Sequence, residues 1–204
     1  MLFLNFRLQY DPVLIPQLAA KYLRTPYKRG TAADADRVME EAGWRLVNGP
    51  FDLEDAKTVV GWKSARRMDQ FKLNRPERVE AAIREAIEAT KAGDVERAVK
   101  TLAKLAGVKL KMASAILTAM FPTLYTVCDF RASHAVGVKD SSGLKFFVAY
   151  LAACREMAVR YGVSLRDFDR ANWQWSKDQS KTKEMECVGV CCANENGPGL
   201  PVAA

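Results

Sequence analysis

An all-α fold is what the sequence predicts, and three observations predict it. Apolar residues recur every three or four positions through most of the chain, the spacing that lines one face of a helix. Aspartates, prolines and glycines punctuate these segments where helix starts and stops are expected. Apolar–polar alternation is confined to a weak run from Phe3 to Tyr10, read as a short strand or an extended arm. With 204 residues, 49% of them hydrophobic, the chain can bury a core of ordinary size. The expected organisation is a helical domain over about residues 1–180, with a smaller N-terminal lobe over about 1–75, followed by a mobile tail from 181 to 204.

Taken in order, Ile15, Leu18, Ala19, Tyr22 and Leu23 have helical spacing, with Pro16 tolerable in the first turn. The stretch Thr25–Gly30 breaks that helix. A second helix is expected from Asp34 to Ala42 with Gly43 as its stop, and a third from an Asp52 cap to about Lys63. Ser64 to Arg75 reads as a connection with room for one helical turn. Pro76, at a first helical position, opens a helix with Val79, Ala82, Ile83, Ala86 and Ile87 inside that runs to Gly93. Asp94 caps the next, whose buried stripe is Val95, Ala98, Val99, Leu102 and Leu105, and Gly107 ends it. Leu110 to Phe121 forms another, stopped by Pro122. A short helix after Asp129, a long amphipathic one from Leu144 to Tyr161 and a last one from Leu165 to about Lys177 complete the set. From Lys181 onward no periodic apolar face remains.

A net charge of +7 favours polyanionic partners such as nucleic acid or acidic membrane surfaces. The longest apolar runs, such as Phe146–Ala153, are too short to span a bilayer, and Met1–Arg7 lacks the regions of a signal peptide. The expectation is therefore a cytoplasmic or nucleoid-associated protein without membrane attachment. The five cysteines, Cys128, Cys154, Cys187, Cys191 and Cys192, are odd in number and imply no disulfide framework. The last three lack a nearby histidine, and their spacing fits neither zinc-ribbon nor usual iron–sulfur patterns. No metal and no cofactor is expected.

Chemistry concentrates in the turn Leu105–Lys109. Two helices joined so tightly make a hairpin whose second helix starts with outward-pointing amides, and the helix dipole adds partial positive charge there. Such a start attracts phosphate, Lys104 and Lys109 add full charges, and Gly107 with Val108 brings the backbone close. A plain structural turn would share these features. The longer run Leu105-Ala-Gly-Val-Lys-Leu-Lys-Met-Ala-Ser resembles the helix-hairpin-helix of the endonuclease III superfamily of DNA glycosylases, which includes 8-oxoguanine DNA glycosylases. Lys111 falls at that motif's lysine, and Asp129 follows it at the separation of the superfamily's catalytic aspartate, after a helix, a turn and a short apolar run. The likeness covers Leu105 to Asp129 without a gap. It departs from the pattern at Lys109, which replaces the second glycine, at Met112, which replaces threonine, and at Phe130-Arg131 after the aspartate; the four-cysteine cluster loop is absent.

The resemblance implies a DNA glycosylase, with AP-lyase activity where the amine forms a Schiff base, acting on double-stranded DNA; a monomer is expected, though the sequence itself leaves a dimer open. Cleaving a base–sugar bond develops positive charge on the sugar, which Asp129 would stabilise while Lys111 attacks the anomeric carbon. The plainer roles are a phosphate contact for Lys111 and an N-terminal cap for Asp129. Base flipping requires an apolar or aromatic pocket, for which Trp62, beside Lys63, Ser64 and Arg66, His134, the only histidine, Trp173 and Trp175 are candidates. Ordinary packing is the alternative for Trp62 and His134, and the two later tryptophans, two positions apart, cannot share one helical face. Arg166, Asp167, Asp169 and Arg170 alternate in sign and read as a solvated helix face with no chemistry. Competing functions are a non-catalytic helix-hairpin-helix DNA-binding module and a helical protein-interaction domain.

Overall fold

The computed structural model describes residues 5–28, 30–139 and 143–193, with side chains as far as residue 180. Helices dominate it: α1 (Ile15–Leu23), α2 (Ala32–Asn48), α3 (Leu53–Ser64), α4 (Met68–Phe71), α5 (Pro76–Lys91), α6 (Val95–Leu102), α7 (Leu110–Met120), α8 (Phe130–Ala135), α9 (Leu144–Arg160) and α10 (Leu165–Ala193). Among the described residues the only strands are a two-residue antiparallel pair, β1 (Pro26–Tyr27) and β2 (Gly30–Thr31), between α1 and α2. The protein is all-α. No helix of the described residues is long and apolar enough to cross a membrane.

Aspartate caps start helices at three of the expected places. Asp52 accepts from the Glu54 amide, Asp94 from that of Arg97, and Asp129 from those of Arg131 and Ala132. Each satisfies amides that have no partner within the first turn. α2 begins earlier than its sequence suggests because Thr31 and Asp34 form a reciprocal capping box.

Two elements differ from expectation. Gly43 does not end α2, which continues to Asn48. It sits where α2 crosses α7, and a Cβ built on it would lie 2.1 Å from the Ala119 carbonyl oxygen. The missing side chain lets two backbones touch; it does not break the helix. α10, in turn, continues to Ala193 instead of stopping near Lys177. Residues 178–188 contain no glycine or proline, and charged or polar side chains sustain helical backbone without an apolar stripe. Residues 194–204 of the expected mobile tail, and the side chains of Cys187, Cys191 and Cys192, lie outside the described residues.

One apolar cluster extends from Leu8 to Ala171. Met39 and Ala42 of α2, Val59 and Val60 of α3, Ile83 of α5, Leu102 of α6, Ile116 and Leu117 of α7, Phe147, Tyr150 and Leu151 of α9 and Phe168 of α10 all belong to it. Residues 5–10 run extended beside α8, where the Arg7 and Gln9 amides donate to the Val136 and Ala135 carbonyls at 3.0 and 2.9 Å. α1 packs along α10, so the earliest and latest helices of the described chain are neighbours.

Candidate active site

α6 and α7 form the expected hairpin. The chain turns through Gly107 at a φ of +77°, in the left-handed region that favours glycine. Space restricts this position too: a Cβ there would lie 2.9 Å from the Phe71 amide nitrogen and 3.1 Å from the Arg67 carbonyl oxygen. Asn74 braces the turn, donating to the Ala106 carbonyl at 3.0 Å and accepting from the Ala106 amide at 2.9 Å. Lys104 and Lys109 are exposed. Val108 is buried in the core, and its amide donates to the Leu105 carbonyl, so its contribution is to the turn itself. α7 starts at Lys109 without a side-chain cap.

Away from the turn, a pocket of about 380 Å³ opens between α3, α10, the β1 region and the segment before α8. Its size falls in the range of small-ligand sites, about 300–1,000 Å³. Tyr22, Tyr27, Trp62 and Trp173 supply aromatic walls; Lys63, Asp129, Arg166, Asp169 and Arg170 supply charge. Asp129 fills the plainer of the roles weighed for it, the helix cap, and also lines the pocket. One carboxylate oxygen, Oδ1, accepts from the Arg131 and Ala132 amides, both at 3.1 Å, and starts α8. The other, Oδ2, accepts from Lys63 Nζ at 2.7 Å, with both side chains only 17% exposed. Burial alone would lift the Asp129 carboxyl, but the Lys63 ammonium and the two amides outweigh it and hold its pKa below the usual carboxylate value.

Of the other residues singled out from the sequence, Trp62 lines this pocket and is also tied into the fold, its Nε1 donating to Asp36 at 3.1 Å. Lys111 lies in the first turn of α7, half-buried, and is not part of the pocket lining. Its turn is nonetheless linked to the Asp129 segment through Ser114, whose hydroxyl donates to the Lys111 carbonyl and accepts from the Cys128 amide, both at 3.0 Å. His134 is exposed, with Nδ1 3.0 Å from the Ser176 hydroxyl and its ring 5.0 Å from that of Trp175, and it does not line the pocket.

Lys63 was only the neighbour of a candidate in the sequence. No local spacing signals it, because its partner stands 66 positions away. The α10 charges are likewise a correction: Arg166 and Asp169 are buried, not solvated. Both Arg166 and Arg170 reach across to α2, meeting Asp36 Oδ2 at 2.7 and 2.9 Å and Glu40 at 3.1 and 2.9 Å. Asp36, 1% exposed, also accepts through Oδ1 from the Tyr22 hydroxyl and from Trp62, both at 3.1 Å. α10 buries polar as well as apolar faces, a pattern that sign alternation alone cannot distinguish from a solvated one.

Asp169 pairs with Arg166 at 2.6 Å, yet its pKa is pushed up to about 6. Burial is the main cause; Arg166 and Lys63 oppose it, while the negative charges of Asp129 and Asp36 add to it. A carboxyl raised in the folded state binds a proton that the unfolded chain has already lost, so its contribution favours folding at low pH and fades as pH rises through about 6. Between pH 7 and 5, the urea midpoint of the wild-type protein is expected to gain more, or lose less, than that of Asp169→Asn. Parallel midpoints for the two proteins would contradict the raised carboxyl. No family model, no curated protein and no solved structure matches the chain.

Proposed function

We propose that this protein is a DNA base-excision enzyme: a DNA glycosylase with AP-lyase chemistry, acting as a monomer on a base flipped out of double-stranded DNA. The observation that carries the reading is the pocket in which a partly buried, ionised Asp129 lies among aromatic walls and beside an amine. A flipped base needs π-faces to stack against and polar groups for its edge, and this pocket offers both. A carboxylate held ionised in a partly desolvated site suits the positive charge that develops on a sugar as its base departs.

The hairpin supports the same reading. Gly107 and the uncapped start of α7 provide a place for phosphate, with Lys104 and Lys109 exposed nearby. Exposed Arg66 and Arg67 lie between the end of α3 and the hairpin, since the Arg67 carbonyl abuts Gly107. The segment that carries Arg66 and Arg67 thus runs from the pocket-lining end of α3 to the hairpin, a course suited to a strand bound by its backbone. By the resemblance, the attacking amine would be Lys111.

The test is a panel of duplexes carrying abasic, 8-oxoguanine, uracil or alkylated sites, assayed for base release with the wild-type protein and Asp129→Asn. Asparagine caps helices as well as aspartate does, so this substitution removes the charge while keeping the start of α8. Release of one of these bases is expected, falling about a hundredfold in Asp129→Asn with DNA affinity retained. Salt-dependent binding with no release on any lesion would replace the proposal with a non-catalytic DNA-binding module. Absence of DNA binding at low salt would remove both.

A further inference from the structure

We propose that Lys63, rather than the hairpin lysine Lys111, is the amine that captures the sugar, with Asp129 as the carboxylate that takes and returns its proton. The assignment rests on the base-excision reading. Three features of the site carry it. Lys63 Nζ and Asp129 Oδ2 are 2.7 Å apart, and both side chains line the aromatic pocket, whereas Lys111 does not. Lys63 stands in the last turn of α3, three and four positions before exposed Arg66 and Arg67, so a strand whose phosphates contact those arginines passes close to Lys63. Trp62, the adjacent residue, has its ring edge fixed by Asp36, which gives the neighbouring amine a defined wall to work against.

The chemistry balances within this pair. Asp129 rests as a carboxylate, and one ammonium proton passes to it along the 2.7 Å hydrogen bond only as Lys63 Nζ closes on the sugar. The neutral Lys63 amine then donates its lone pair to C1′ as the bond from C1′ to the base breaks, the electron pair leaving with the base. Asp129 returns its proton to the departing base and becomes a carboxylate again, facing the new cation. One N–H proton passes to the ring oxygen as the C1′–O4′ bond opens, leaving a protonated imine between Lys63 and C1′. With a preformed abasic aldehyde the same amine condenses directly and expels water. Borohydride delivers hydride to the imine carbon and makes the link permanent.

The experiment is borohydride trapping of the full-length protein on a duplex with an abasic site, followed by trypsin digestion and mass spectrometry of the cross-linked peptide. An adduct on Lys63 blocks cleavage there and appears in the peptide Thr58–Arg66. Lys63→Arg keeps a cation beside Asp129 and so guards the fold, but a guanidinium does not form the imine; its trapping is expected to fall at least tenfold while its thermal midpoint stays near wild type. An adduct mapped to Lys111 or elsewhere overturns the assignment and leaves the base-excision reading intact. Base release without any adduct does the same. Neither release nor adduct on any duplex overturns both.

Discussion

Gly43→Ala is expected to destabilise the protein by about 3 kcal/mol, against the usual direction of that substitution. In an exposed helix interior, alanine in place of glycine gains roughly 0.5–1 kcal/mol, because glycine loses more backbone entropy on folding. Here the added methyl would stand 2.1 Å from the Ala119 carbonyl oxygen and 2.9 Å from the Ala119 Cβ. The obstacle is mostly backbone inside α7, so no rotamer change relieves it, and α2 and α7 must move apart. That separation disturbs two of the helices that supply the apolar cluster. Urea denaturation followed by circular dichroism measures the effect. An unchanged or raised midpoint would mean that the two helices cross less tightly than the structure has them.

Asp36→Ala should cost about 4 kcal/mol, the range for removing one partner from a buried ionic network. Two guanidiniums, a phenol and an indole converge on this carboxylate. Without it, Arg166 keeps Asp169 and Glu40, and Arg170 keeps Glu40 and Asp167, but both lose the acceptor that is buried most deeply. The Tyr22 hydroxyl and Trp62 Nε1 lose an acceptor as well, and an unpaired buried donor carries a desolvation cost of about 1–3 kcal/mol. Arg37→Ala on the same helix is the control: its pair with Glu41 is exposed on both sides, and its loss should change stability by no more than about 0.5 kcal/mol. Equal effects in the two variants would show that the Asp36 network adds nothing beyond a surface pair.

The parts of the fold legible in the sequence are those with local causes. Asp52, Asp94 and Asp129 announce helix starts because a cap acts within three residues, and Pro76 announces α5 because its ring fits only the first turn. The hairpin is legible for the same reason, Lys104, Gly107 and Lys109 lying within one short stretch of the chain. Gly43 was misread because helix termination and close helix crossing both call for a residue without a side chain, and only the partner helix distinguishes them. The candidate site was half legible. Asp129 stands out through its separation from a motif, Trp62 as an aromatic beside cations and Trp173 as one of the candidate tryptophans, and the pocket contains all three. Lys63 and the Asp36–Arg166–Arg170 cluster were missed because their partners come from distant helices: 66 positions separate Lys63 from Asp129, and 130 separate Asp36 from Arg166. No periodicity records a pairing of that range.

The packing of α1 along α10 has a consequence for the order in which the protein is made. The hairpin and the cap at Asp129 are complete once the chain has reached α8, and each depends on residues already synthesised. The pocket is not: Arg166, Asp169, Arg170 and Trp173 of α10 close one side of it, and the Asp36 carboxylate waits for both arginines. A nascent chain therefore has the residues of its hairpin turn well before it has those of the pocket. Any chemistry of the Lys63–Asp129 pair is withheld until the last described helix has left the ribosome and docked against the first.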